Sequence, residues 1–306
     1  MTAGRREWPL VAFTLLAQAA VGGFLAIGVA RVHLQPALGG AVAGVVRLPL
    51  VVVSGLFALS LLASLGHLGR PLAAWRALCH AAESWVSIEI LMAVAFGGAL
   101  TAFLSAETLE IATSAVHEVL AGITAGLGVG LVHAMGQIYR LPTRPAWNHV
   151  TTVIGFYVTT ALLGLLVAGS CLLGGYASLG PPSAFPERVL ALDCTLRLLA
   201  LAAAAACGFE AVLIPWQMRL RRKASLRASL PESDLSLLRH QRIATVRLAL
   251  VGAAMAASAW FVFREPALSG AEPLGAFMLA SACLLALLES LLGRVMFYTK
   301  RPIHGV

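Results

Sequence analysis

Charge is what this sequence has least of. Only 12% of its 306 residues are Asp, Glu, Lys or Arg, about half the share of an average soluble domain. Little material is left for a separate soluble domain, which argues against catalysis on large soluble substrates. Cysteine is also sparse. Cys79, Cys171, Cys194, Cys207 and Cys283 are scattered with no C-x-x-C pair, so neither an iron-sulfur cluster nor a zinc site has a plausible ligand set in this chain. The net charge of +8 would suggest nucleic acid in a soluble protein. Here it reads as loop charge that sets membrane orientation, and no nucleic-acid partner is expected.

What the chain has in abundance is apolar length. Hydrophobic residues make up 59% of it and the mean hydropathy is +0.86. One membrane span needs about 20 mostly apolar residues, and such runs recur from near the start to near the end. They predict an all-α, polytopic helix bundle, a single membrane domain over 1–306 with eight spans at about 8–30, 48–68, 86–106, 114–139, 151–173, 189–214, 244–263 and 274–298. Arg5 and Arg6 precede the first run as in a signal peptide. That run is longer than a cleavable core, so it is expected to be a retained helix.

Eight spans put both termini on one face, X, together with the 69–85, 140–150 and 215–243 loops. Face X then carries fifteen Lys and Arg against four on the opposite face, Y; Arg197, Arg247 and Arg294 lie within spans. The positive-inside rule makes X cytoplasmic. The cluster Arg219, Arg221, Arg222, Lys223 and Arg227 dominates the count. It can lie on anionic headgroups or dock a partner subunit. The stretch 174–186, rich in Gly, Ser and Pro, reads as an irregular loop on face Y.

Ionisable groups at membrane depth are costly and usually face the bundle interior, so each is a candidate functional group. His67, Glu89, His133, Gln137, Glu210, Arg247, Glu289 and Arg294 fall in the X half, whereas Glu118, Asp193 and Arg197 fall in the Y half. A polar site near face X is the simplest explanation. Asp193 and Arg197 are spaced for a local i,i+4 ion pair. Glu210 and Arg247 share a depth on consecutive spans, where they can pair for packing alone. His67 ends the second span in His67-Leu68-Gly69-Arg70-Pro71, and Glu89 enters the third from the same face 22 residues later. The two can converge, and a His with a carboxylate can exchange two protons near neutral pH. Haem is the alternative, with His67 and His133 as the matched pair of imidazoles in the X half. His117 near face Y lacks an obvious partner, and His33, His80, His149, His240 and His304 read as loop or terminal residues.

Taken together, these residues carry a resemblance. Glu7-Trp8-Pro9-Leu10, Gln18 with Gly22-Gly23-Phe24, His67-Leu68-Gly69-Arg70-Pro71, Glu89-Ile90, Tyr139 with Pro145-Ala146-Trp147, and Gly293-Arg294-Val295-Met296-Phe297-Tyr298 resemble the membrane-anchor subunit of the dimethyl sulfoxide reductase family. The resemblance implies an integral subunit without haem, in a three-part molybdoenzyme of the bacterial cytoplasmic membrane. Such a subunit oxidises menaquinol and passes electrons to a four-cluster iron-sulfur subunit and on to a molybdopterin catalytic subunit. The family's quinol-site histidine and glutamate carry over onto His67 and Glu89. Arg70 can stabilise the developing quinol anion or cap the site electrostatically, and His133 and Arg247 are further candidate contacts. The chain departs from the family in having Gln137 where an arginine is common and Glu289 five residues before Arg294 instead of four. Its charge bias also favours termini inside, whereas the family is usually drawn with termini outside, so sidedness is read from the charge.

Three rival readings are a secondary transporter, which wants a midplane site and an internal repeat, a b-type cytochrome, and a structural tether whose polar residues only join helices. Under the quinol reading the iron-sulfur subunit docks on face X, because most buried polar groups lie in that half and docking on face Y would leave much of the ~30 Å hydrocarbon core to cross without a carrier. With its acids subtracted, face X keeps a charge of +11 against −1 on face Y, which favours encounter with an acidic partner.

Overall fold

The computed structural model describes residues 8–66, 84–109, 114–140, 147–179, 185–227, 234–265 and 273–298. Within them the chain forms α1 (Trp8–Leu38), α2 (Val42–Leu65), α3 (Trp85–Leu109), α4 (Ser114–Ile138), α5 (Val150–Leu172), α6 (Pro186–Arg227), α7 (Asp234–Phe263) and α8 (Pro273–Tyr298). Short 3₁₀ turns occupy Gly39–Ala41 and Leu173–Ser178, and the described residues contain no strand. The helices are apolar nearly all round, the mark of segments surrounded by lipid or protein on every side. Large apolar side chains point outward, as at Val32 and Phe263, while Gln18, Asp193, Glu210, Arg247, Glu289 and Arg294 are buried.

Seven apolar helical stretches among the described residues are long enough to cross a membrane. The first covers 58 residues, Trp8–Leu65, and holds both α1 and α2. It is a hairpin: Gly66 lies against Pro9 at one end, and Gly23 packs on Val53 midway. Gly39 makes the reversal with φ of +54°, in the left-handed region that glycine enters without a Cβ penalty. This differs from the expected spans 8–30 and 48–68. Helix continues to Leu38 and resumes at Val42 because Arg31 and His33 are not solvated loop residues but have partners on α3 and α6.

The 215–243 segment also differs from expectation. Most of it is helical, α6 running on to Arg227 and α7 beginning at Asp234. Hydropathy marks where apolar residues stop, but the Gln, Met, Arg, Leu, Lys and Ala that follow Pro215 are good helix formers, so the helix outlasts the apolar run. Likewise the 174–186 stretch is partly a 3₁₀ turn, with Gly175 packed on Val45.

α1 lies at the centre, touching α2, α4, α5, α6 and α8. It crosses α5 where Gly22 meets Gly164. A Cβ on Gly22 would overlap the Thr160 carbonyl, and one on Gly164 would overlap the backbone of Gly22. With little hydrophobic drive between helices in lipid, such close backbone approach supplies the packing. The α1–α5 crossing brings Gln18 beside α5 and sets up the polar interior.

Candidate functional site

The polar groups of the X half form two clusters on opposite sides of α5. The first joins α3, α4 and α5. The Trp85 ring meets His133 edge-on, with centroids 5.9 Å apart. His133 uses both ring nitrogens: Nε2 lies 3.0 Å from Gln137 Nε2, and Nδ1 lies 3.2 Å from the Tyr157 hydroxyl. Arg140 donates to Gln137 Oε1 at 3.4 Å. With its oxygen turned to Arg140, the Gln137 amide presents its nitrogen to His133 Nε2. Glu89 is half-buried and follows Trp85 by four residues on α3, which puts it one turn along the same helix face. Trp85 is 44% exposed and Tyr157 36%, so this cluster reaches the surface of the bundle.

The second cluster is interior. Arg294 Nη2 donates to Gln18 Oε1 at 2.6 Å, and Gln18 Nε2 donates to the Phe156 carbonyl at 2.6 Å and to Thr160 Oγ1 at 3.3 Å. The Arg294 guanidinium also covers the Phe156 ring at 3.6 Å, a cation–π contact that gains strength from the burial of Arg294. Tyr139 stacks on the other side of this group, 5.6 Å from Phe156, and Trp147 packs edge-on against Tyr139. Beside them Arg247 Nε donates to Glu289 Oε1 at 2.7 Å and its Nη2 to Glu210 Oε1 at 2.9 Å. A cavity of about 50 Å³ lies between Arg247, Arg294, Glu210, Gln217 and Thr152, room for a few waters at most.

Four of the residues that carry the resemblance are brought together: Gln18, Tyr139 and Arg294 contact Phe156, and Trp147 packs on Tyr139. Arg247, a candidate quinone contact, is held between two carboxylates, and Glu289 acquires a definite partner despite its altered spacing. His67 and Arg70 lie outside the described residues; α2 ends two residues before His67.

In the Y half the local Asp193–Arg197 pair forms at 2.7 Å and gains Arg264, which reaches Asp193 at 2.5 Å. Arg197 also donates to the carbonyls of Val262 and Arg264, so the group clamps α6 to the end of α7. Hydropathy misplaces Glu107, His33 and His240 and leaves His117 without its partner. Glu107 is a buried member of α3 and not a loop acid. His117 finds that carboxylate as its partner, and His33 lies within α1 and bonds Thr195 at 2.9 Å. The signal was the absence of Gly or Pro from Thr101 to Leu109, which leaves no breaker to end the helix before Glu107. His240, expected in a loop, lies in α7.

Fold and site define a polytopic all-helical membrane protein with a partly exposed cluster around His133 and a buried ion network around Arg247 and Arg294. The chain belongs to the DMSO reductase anchor subunit (DmsC) family, whose model matches residues 1–299. It is 28% identical over 173 residues to the C subunit of anaerobic dimethyl sulfoxide reductase from Haemophilus influenzae, covering 56% of this chain and 61% of that one. Against the C subunit of the Escherichia coli K12 enzyme it is 29% identical over 185 residues, 58% of this chain and 63% of the relative. Against YnfH, an anaerobic dimethyl sulfoxide reductase subunit of the same organism, it is 29% identical over 175 residues, 55% and 58% of the two. The chain thus spans about three-fifths of the length of the curated relatives it matches. No solved structure matches it.

Proposed function

We propose that this chain is the membrane anchor of a dimethyl sulfoxide reductase-type complex and that it oxidises menaquinol near face X. The observation that carries the reading is the cluster of Trp85, His133, Gln137 and Tyr157, one helical turn from Glu89 and partly exposed at the surface of the bundle. A lipid-soluble quinol reaches such a site directly from the bilayer. Its ring hydroxyls lie against His67 and Glu89, which accept its two protons, and Arg70 stabilises the anion that develops. The two electrons pass to an iron-sulfur cluster of a partner subunit and from there to a molybdopterin subunit. His133 already commits both ring nitrogens to neighbours, which favours quinol contact over haem ligation at that residue.

Trp85 offers a built-in reporter. Quinone added to the purified protein in detergent is expected to quench part of its tryptophan emission saturably, with Trp85→Phe removing that part. Equal saturable quenching in the variant would overturn the assignment of this cluster.

In this reading each arm of the α1–α2 hairpin crosses the bacterial cytoplasmic membrane once, making eight crossings with both termini in the cytoplasm. The four-cluster iron-sulfur subunit docks on face X. Arg219, Arg222 and Lys223 are exposed on the extension of α6, a rigid basic arm suited to an acidic partner. Cross-linking of the assembled complex is expected to join that subunit to the 69–85, 140–150 or 215–243 segments, and a reporter fused after residue 230 should behave as cytoplasmic. Cross-links confined to 174–188 or 264–273 would move the docking face to Y, and periplasmic activity of the reporter would reverse the sidedness.

A further inference from the structure

A large cavity in the Y half is left unused by this reading. It has a volume of about 850 Å³ and is walled by α1, α2, α3 and α4, within the roughly 300–1,000 Å³ of pockets that hold cofactor-sized ligands. Along α1 it follows the helix from Phe24 to Gln35, about 16 Å at 1.5 Å per residue. Its inner wall is apolar and aromatic. Phe24 meets Phe103 edge-on at 5.2 Å, and Phe103 meets His117 at 4.7 Å. Small residues on α4, Ala121, Gly122 and Ala125, form the facing side.

One end of the cavity is polar. Arg31 and His117 line it, and both engage Oε2 of the buried Glu107, Arg31 at 2.5 Å and His117 in direct contact. Among the described residues Glu107 Oε1 is buried without a hydrogen-bond partner, although Glu107 is not itself one of the residues that line the cavity. Leaving a buried carboxylate oxygen bare is costly. The formal charges around the cavity do not suit an anion, since Arg31 is offset by Glu107 and by Glu118 on the wall. The fitting ligand is neutral, flat and long-tailed, with oxygens on its ring that both accept and donate hydrogen bonds.

We propose that this cavity is a second quinone-binding site, near face Y, which takes the ring of an isoprenoid quinone or quinol between the aromatic wall and the small-residue face of α4. Its ring oxygen lies toward Arg31 and His117, and its tail follows α1 toward the membrane interior. The proposal concerns binding alone and stands independently of the site at Trp85 and Glu89, from which it is separated by the depth of the bundle.

The test uses the complete complex in phosphatidylcholine nanodiscs, irradiated with an azido-naphthoquinone carrying a short isoprenoid tail and mapped by peptide mass spectrometry. Labelling is expected within 24–35 or 117–125, to saturate, and to be suppressed by excess unlabelled quinone. Gly28→Leu and Gly122→Leu should each abolish it while label near 85–89 and 133–157 persists. A Cβ at either glycine meets no atom within 4 Å, so these variants fill the cavity without disturbing helix packing. Label in 24–35 and 117–125 that unlabelled quinone does not displace, or that anionic phospholipid displaces equally well, would overturn the proposal and make the cavity a slot for a lipid tail. Absence of label there overturns it too, whether or not the Trp85 region is labelled. Loss of label only near Trp85 would count against the proposed function and leave this site standing.

Discussion

Replacing Glu89 by glutamine or His67 by arginine is expected to abolish quinol-dependent turnover of the assembled complex, by roughly a hundredfold or more if these groups supply general-base catalysis. Glutamine keeps the shape of glutamate but has no site that takes a proton near neutral pH. Arginine is permanently charged, so it cannot cycle between proton acceptor and donor as an imidazole does. Assembly should survive, because Glu89 is only half-buried in the first turns of α3. The comparison to make is quinol oxidation against turnover with an artificial donor that reduces the partner directly. The variants should lose the first and keep the second. Normal quinol kinetics in both would remove His67 and Glu89 from the site.

Arg247→Met is expected to destabilise the membrane domain itself, by roughly 3–5 kcal/mol as for other broken buried ion pairs. Glu210, Arg247 and Glu289 are respectively 5%, 6% and 1% exposed. The single guanidinium serves both carboxylates and ties α6, α7 and α8 together. Methionine fills similar length but leaves two carboxylates near one another without the guanidinium that bridges them, so the loss comes chiefly from under-compensated charge. Adding Glu210→Gln and Glu289→Gln to the same protein should therefore recover much of it. Thermal unfolding in detergent, followed by size-exclusion chromatography, reads both effects. An unchanged midpoint for Arg247→Met alone would show that water from the adjacent cavity already solvates the acids.

The extent to which the site could be read in advance followed the range of the interactions. Asp193 and Arg197 are one turn apart on one helix, so their pairing follows from the 3.6-residue repeat alone, and it is observed. The depth match of Glu210 and Arg247 pointed to their pair but not to Glu289 as the second acid. Nothing local indicates that Arg294 would donate to Gln18, 276 positions away, or that its guanidinium would cover Phe156. The Glu107–His117 contact was missed for a different reason. A single acid ends an apolar window, although the helix beneath it does not stop there.

The sequence by itself determined the class of protein and the approximate positions of its apolar helices. Each of these follows from transfer free energies summed over neighbouring residues, and residue order alone specifies that sum. Only the tertiary structure decided which buried charges meet, where α6 ends, that α1 and α2 fold back on each other, and that a cavity lies beside Arg31 and His117. Those outcomes depend on the rotation of each helix about its axis and on how closely two backbones approach. Gly22 against Gly164 sets that approach for α1 and α5. Helices that are apolar all round carry no strong stripe to announce their inward face, so in this protein packing had to choose it.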